Sequence, residues 1–329
     1  MPLFLSDRAQ LVSPLPLHTV AEARMLGIRL RAPAWTRVRK GVYVDAAAYA
    51  ALSDWSRYAV RVHAYLRMHP DAVLCLESAA VIHGIPGFGE PKDIHLYDPD
   101  LTKTWRHADA LTHTSGDLRE IVLIDGIHVT SLRDTIVDLA RVAQPAHALA
   151  MTDAAISLVQ GGAVALDELF DRGLAQQNQR GRARMRWVWE NADERAESPA
   201  ESVSRAVMLW SGFERPELQR VFRYEGHEDR TDFYFASCGA VGESDGWGKY
   251  ELDSPEEARE RLKDEKRRED RLRRNRHPFA RWELRDAWRV TPMCEALSAA
   301  GVRVVEPPQS AMLATLRTNP RAKPWRRRS

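Results

Sequence analysis

The stretch TDFYFASCGAVGESDGWGKY, residues 231–250, decides how the C-terminal part of the chain is expected to fold. Two runs of strand-forming residues flank a turn of small residues, a pattern that predicts an antiparallel hairpin. Asp232 opens the first run, Glu243 and Asp245 close the second, and Lys249 lies just beyond. Pairing of the two strands would bring Asp232 and Glu243 to one end of a sheet.

These acidic residues match the ligands that a magnesium ion prefers. Mg²⁺ takes oxygen ligands and keeps several waters, so two carboxylates are enough to hold it. A bound Mg²⁺ polarises a phosphoryl oxygen and lowers the pKa of an attacking water. We therefore predict that Asp232 and Glu243 are metal ligands and that Lys249 stabilises developing charge. The alternatives are a strand-edge Asp232 paired with Arg230, and a Lys249 that simply faces water.

A clear helix start precedes this stretch. In the sequence SPAE, Ser198 stands at the N-cap, Pro199 at the first helical position and Glu201 at the third. Glu201 can either complete the cap or reach the metal site from the helix start, and both interpretations stay open. From here the elements read helix, strand, strand, strand, helix, strand, which predicts a mixed sheet flanked by helices.

This element order, with the motifs ESVSRAVMLWSG, RTDFYF and GESDGWGKY, resembles the restriction-endonuclease-like, or PD-(D/E)XK, fold. The closer resemblance, over about residues 197–290, is to its DUF559 and very-short-patch-repair (Vsr)-like branch. It implies a DNA endonuclease whose acidic positions here are Glu201, Asp232, Glu243 and Asp245. The standard motif has lysine two residues after the second acidic residue, where this chain has Asp245. Lys249 can substitute from a shifted position; a weak or inactive nuclease and a turn-forming Asp245 are the alternatives.

The N-terminal region has the pattern of a small winged helix. Residues 18–28 predict a helix with a capping box at its start. Residues 35–44, WTRVRKGVYV, predict a basic hairpin that could contact DNA phosphates through Arg37, Arg39 and Lys40. The GVYV ending and the later segment VTSLRDTIVDLA resemble AbiEi-type antitoxin proteins, which implies a winged helix-turn-helix, DNA as a partner and a cognate toxin. The alternative is a small packing module.

A long charged helix is predicted to follow the acidic stretch. Residues 256–276 contain ten basic and seven acidic residues, many of them in opposite-charge pairs one helical turn apart. The general interpretation is a solvated, salt-bridged helix. The basic C-terminal half favours contact with a DNA backbone, for which we nominate Arg267, Arg271 and Arg274.

These patterns predict an α+β, multi-domain protein. A strong hairpin signal occurs at residues 121–129, where Asp125-Gly126 separates two apolar runs. The predicted regions are a winged-helix-like module (1–50), a mostly helical AbiEi-like middle region with a hairpin (51–195), a mixed-sheet, restriction-endonuclease-like domain (196–290) and a basic C-terminal tail (291–329).

Composition narrows the functional classes. The net charge is only +2, so overall charge does not itself indicate a nucleic-acid partner. Three widely separated cysteines, and no apparent signal peptide or long apolar run, predict a cytoplasmic protein without a membrane partner. We expect a DNA-interacting protein with a Mg²⁺-dependent nuclease domain. The alternative is a non-catalytic, antitoxin-like transcriptional regulator that binds DNA without cutting it.

Overall fold

The computed structural model describes residues 3–245 and 255–324, except for the side chains of residues 255–258 and 261–262. Helices alternate with several small sheets along the chain, so the expected α+β, multi-domain architecture is confirmed. None of the helices in these two ranges is long and apolar enough to cross a membrane.

The N-terminal module is a small antiparallel sheet with two short helices. Its elements are α1 (Leu5–Arg8), β1 (His18–Thr19), α2 (Val20–Met25), β2 (Trp35–Arg39) and β3 (Val42–Asp45), and β3 is the central strand. The predicted helix and basic hairpin are therefore present. Residues 26–34, however, form turns without a helix, because Gly27 adopts a left-handed φ of +68° and ends α2. The winged-helix prediction is corrected here: this interval contains no recognition helix.

The middle region packs helices against small sheets. Its elements are α3 (Ala46–Ala51), α4 (Asp54–Leu66), α5 (Leu76–His83), β4 (Ile94–Tyr97), β5 (Trp105–His107), β6 (Ala110–His113), β7 (Ile121–Ile124), β8 (Ile127–Thr130), α6 (Leu132–Val142), α7 (Pro145–Ile156), α8 (Leu166–Ala175) and α9 (Arg182–Asn191). Strands β7 and β8 form the predicted antiparallel hairpin. Its turn residues, Asp125 and Gly126, both have positive φ, as the shortest hairpin turns require.

The C-terminal region contains the predicted mixed sheet. Its elements are α10 (Pro199–Trp210), β9 (Glu217–Tyr224), β10 (His227–Phe235), β11 (Ala240–Asp245), α11 (Pro255–Arg274), β12 (Phe279–Glu283), α12 (Leu284–Arg289), α13 (Thr291–Ala299) and α14 (Ser310–Ala314). The sheet order is β12-β11-β10-β9, with β11 and β12 parallel and the other neighbours antiparallel. The predicted order of helix, three strands, helix and strand is confirmed.

The hydrophobic core continues across the predicted boundary at residue 195. Helix α7 of the middle region packs on α10, and one cluster of buried residues includes Leu149, Val207 and Trp282. A buried ion pair joins the two helices, with Arg205 Nη2 2.5 Å from Asp153 Oδ2. The mixed sheet and the helical region therefore share their packing.

The prediction of a basic tail over residues 291–329 was wrong for residues 291–324. Helix α13 buries Met293 and Leu297 in the core, and Val302 follows them, so this segment folds because it carries its own apolar residues. Farther on, Arg321 Nη2 donates to Glu77 Oε2 at 2.6 Å and attaches the segment to α5. Residues 325–329 lie outside the described part of the chain.

Candidate functional site

The mixed sheet places Asp232 and Glu243 beside each other on neighbouring strands. Phe233 on β10 pairs with Gly242 on β11 in the antiparallel register, so the next step along the ladder sets Asp232 opposite Glu243. Asp232 Oδ2 accepts a hydrogen bond from the backbone N–H of Ser244 at 2.9 Å. The predicted juxtaposition of the two carboxylates follows directly from this register.

Glu201 reaches the sheet from the start of α10. Its backbone N–H donates to Ser198 Oγ at 3.2 Å, and its Oε1 accepts from the same hydroxyl at 2.7 Å. Its Oε2 accepts from the Glu197 N–H at 3.0 Å and from Gln219 Nε2 on β9 at 2.9 Å. Glu201 therefore caps the helix and also contacts the edge of the sheet next to Asp232.

The three carboxylates influence one another electrostatically. Burial, and then the charge of Asp232, raises the pKa of Glu201 to about 8, while hydrogen bonds from Glu197 and Ser198 act in the opposite direction. The same two causes raise the pKa of Glu243 to about 8. Ionisation of Glu201 and Glu243 is thus costly here, and a cation bound among these groups would favour it.

One cation already contacts the site. Arg268 on α11 donates from Nη2 to Glu243 Oε2 at 2.8 Å and from Nη1 to the Arg230 carbonyl oxygen at 2.7 Å. This ion pair lowers the pKa of Glu243, but by less than burial and Asp232 raise it. The other oxygen, Glu243 Oε1, is buried and has no hydrogen-bond partner within residues 3–245 and 255–324. The two oxygens of one carboxylate therefore have different surroundings.

The donor set fits a magnesium ion that keeps much of its water shell. Within residues 3–245 and 255–324, no group of three or more His, Cys, Asp or Glu side chains is arranged to hold a metal ion. Mg²⁺ does not need such a group, because one or two carboxylates and several waters are its usual ligands. Glu243 Oε1 is a buried carboxyl oxygen to which no side chain or backbone N–H of residues 3–245 and 255–324 donates, and Asp232 is its neighbour on the adjacent strand. These two residues could hold the ion.

Asp245 and Lys249 differ from the expected site geometry. Asp245 is the last residue of β11, and its carboxylate lies 3.6 Å from the guanidinium of Arg281 on β12. Its side chain is 44% exposed, so it is far more open to water than Glu243. Lys249 lies outside the described residues, and its predicted role stays a prediction.

The arginines nominated on α11 contact acidic residues of the protein itself. Arg271 donates from Nε and Nη2 to Asp229 at 2.6 and 2.5 Å, and its side chain is only 12% exposed. Two of its three guanidinium nitrogens are thus bonded within the protein, and its predicted contact with DNA stays a prediction. Arg274 pairs with Glu225 at 2.8 Å, and the exposed Arg267 pairs with Asp264 at 3.0 Å.

Of the three hairpin residues predicted to contact DNA, one is paired within the protein and two are exposed. Arg39 lies 3.0 Å from Asp109 and stacks on the Tyr65 ring at 4.2 Å, so it holds the hairpin against the middle region. Arg37 and Lys40 are exposed on the hairpin. These two remain the accessible cations among the three.

Two residues of the site were not singled out from the sequence. Gln219 connects β9 to Glu201, and Arg268 connects α11 to Glu243. Gln219 lies in an ordinary strand pattern, and its left-handed φ of +55° leaves no signature in a glutamine. Arg268 is one of many arginines on a charged helix. Only the register of the sheet and the docking of α11 distinguish them.

The known proteins to which this chain is similar have names that state no activity. No family model matches the chain. The chain is similar to two proteins of Mycobacterium tuberculosis, from strains CDC 1551 / Oshkosh and H37Rv, both named "Uncharacterized protein". Identity is 32% over 163 residues in each case, which is 49% of this chain and 58% of each relative. The matched segment thus spans less than two thirds of either relative.

Proposed function

We propose that residues 196–290 form a restriction-endonuclease-like, PD-(D/E)XK nuclease domain that hydrolyses DNA phosphodiesters with Mg²⁺. The observation that carries the proposal is the buried Glu243 Oε1, which has no hydrogen-bond partner among the described residues and lies on the strand next to Asp232. Burial and Asp232 raise the pKa of Glu243, so ionising this carboxyl group costs free energy, and a bound cation would offset that cost. The order of α10, β9–β11, α11 and β12 agrees with the proposed class.

In this proposal, two residues of the site would hold the metal ion and a third would exchange a proton. Asp232 and Glu243 would hold the Mg²⁺, which, when bound, polarises the phosphoryl oxygen and acidifies an attacking water. Glu201, whose pKa is raised by burial and by Asp232, is the site's candidate for proton exchange, and a bound cation would lower that pKa. Gln219 and Ser198 orient that carboxylate through their hydrogen bonds.

The proposal also covers where the protein acts and which partners it has. The AbiEi-like resemblance of the first two regions suggests a cytoplasmic, DNA-associated protein with a cognate toxin as partner. Arg37 and Lys40, exposed on the hairpin of β2 and β3, are available for phosphate contacts. Their loss would weaken binding to all DNA sequences alike and reduce its salt dependence.

Plasmid cleavage tests the catalytic proposal. Wild-type protein should nick or linearise plasmid with Mg²⁺ or Mn²⁺ and lose this activity with EDTA. The substitution Asp232→Ala should lower the rate by roughly 100-fold or more, beyond the loss typical of residues that only support a metal ligand. Asp264→Ala is the matched control, because Asp264 is an exposed carboxylate of α11. The proposal fails if wild-type protein binds DNA but cleaves none with either metal.

A DNA-binding regulator without nuclease activity is the second candidate. It is favoured by Asp245, which stands at the position of the motif lysine. Salt-sensitive DNA binding by wild-type protein, with no cleavage under any metal condition, would support it.

A further inference from the structure

Arg268 has a contact pattern that separates it from the other arginines of α11. Its guanidinium is anchored twice, by the Arg230 carbonyl oxygen at 2.7 Å and by Glu243 Oε2 at 2.8 Å. The carbonyl belongs to the backbone of β10, so the guanidinium is held in place independently of Glu243. The side chain is 25% exposed.

This anchoring has a consequence for the carboxylate that it contacts. Because Glu243 Oε2 is tied to a fixed guanidinium, rotation of the carboxylate is restricted and Oε1 keeps one direction. Oε1 is the buried oxygen for which the described part of the chain supplies no hydrogen-bond partner. A carboxylate fixed by one oxygen and open at the other is the arrangement that supporting residues give to metal ligands.

We infer that Arg268 is a positioning residue of the metal site, which holds Glu243 Oε2 so that Oε1 is presented to a divalent cation. The inference rests on the proposed function, because it deepens the same site. Arg268 takes no part in bond breaking. It acts through Glu243, by orienting the ligand before the metal arrives.

Arg271 provides a matched comparison on the same helix. It lies three residues farther along α11 and donates twice to Asp229, at 2.6 and 2.5 Å. Both arginines thus join the helix to a carboxylate of the sheet, but Asp229 is not one of the three site carboxylates. If Arg268 only fastens the helix, substitution of Arg268 and substitution of Arg271 should change metal binding equally. If Arg268 positions Glu243, the two substitutions should have different effects.

Calorimetric titration of the full-length protein with Mn²⁺ alone tests the inference. We expect Arg268→Gln to weaken Mn²⁺ binding by about 10- to 100-fold, the usual loss when a partner of a metal ligand is removed. Arg268→Lys should recover part of this loss, because an ammonium can donate to Glu243 but cannot also span to the Arg230 carbonyl. Arg271→Gln should bind Mn²⁺ as wild-type protein does, and thermal unfolding of each variant verifies that it is folded.

The outcomes separate the inference from the proposed function. If wild-type protein binds Mn²⁺, Asp232→Ala does not, and Arg268→Gln binds as tightly as wild type or more tightly, the inference is overturned and the metal site stands. Equal weakening by Arg268→Gln and Arg271→Gln also overturns it, because that result reports helix docking alone. If wild-type protein binds no Mn²⁺, the proposed function and the inference fail together.

Discussion

At the scale of single residues, the two glutamates of the site differ in their hydrogen-bond partners. Glu201 accepts three hydrogen bonds, whereas Glu243 has one oxygen paired with Arg268 and one buried oxygen without a partner among the residues that the structure describes. The sequence predicted both glutamates as site candidates. It could not predict this difference, because the partners Gln219 and Arg268 come from a strand and a helix that are distant in the chain.

Gln219 offers a test of local geometry. Its φ of +55° is a left-handed conformation that glycine adopts without strain, and its side chain donates to Glu201. Gln219→Ala and Gln219→Gly both remove this hydrogen bond. We expect the glycine variant to be more stable by about 1 kcal/mol, because alanine keeps the left-handed strain. Urea denaturation measures the difference in stability between the two variants. An alanine variant as stable as the glycine variant, or more stable, would disprove the left-handed conformation of residue 219.

At the scale of elements, short-range sequence patterns predicted one hairpin and the order of helices and strands in the C-terminal region. The β7–β8 hairpin and the order from α10 to β12 are confirmed, since turn residues, caps and apolar periodicity act over short stretches. The folded segment after residue 290 was predicted as a tail because Arg and Lys cluster over residues 321–328, whereas Met293, Leu297 and Val302 pack into the core. The docking of α11 was also missed, because arginines that pair with the sheet look the same in sequence as arginines that face solvent.

The contact between α7 and α10 yields a prediction at this scale. The guanidinium of Arg205 is buried against Asp153, so Arg205→Ala would leave a buried carboxylate without its counter-charge. We expect a loss of about 3–5 kcal/mol in the free energy of unfolding. Arg223→Ala is the control, since Arg223 and its partner Glu228 are 80% and 58% exposed and such a pair is worth about 0–1 kcal/mol. Similar urea midpoints for the two variants would contradict a central role for the buried pair.

At the scale of the whole molecule, the C-terminal segment is joined to the middle region through a buried polar cluster. Arg321 pairs with Glu77 and contacts His95, which in turn lies 3.0 Å from His113. Burial lowers the pKa of both histidines to about 4. Burial opposes the ionisation of Glu77, but Arg321 and His95 outweigh it and lower its pKa to about 2. The cluster therefore favours neutral histidines and an ionised glutamate.

Acid should weaken the protein through this cluster. Between about pH 6.5 and 4 the unfolded histidines take up protons that the folded ones do not, so stability falls as the pH falls through that window. Glu77 adds a further loss as the pH falls from about 4.5 towards 2. From pH 7.5 to pH 5 we expect each histidine to contribute a loss of about 1–2 kcal/mol. Urea denaturation at the two pH values should show a smaller loss for His113→Gln than for wild type.

The control for the pH experiment is His107→Gln, because His107 is exposed on β5. This variant should keep the pH dependence of wild-type protein. A His113→Gln variant with the full wild-type loss between pH 7.5 and 5 would show that the buried histidines do not contribute to acid sensitivity.

The central claim is that Asp232 and Glu243 form a metal site that cuts DNA. Its most direct test is the plasmid cleavage rate of wild type, Asp232→Ala and Asp264→Ala, measured side by side over a Mg²⁺ titration. We predict saturable, Mg²⁺-dependent cleavage by wild type and Asp264→Ala, and a rate lower by roughly 100-fold or more for Asp232→Ala. Equal rates for wild type and Asp232→Ala, or DNA binding without cleavage by wild type, would contradict it.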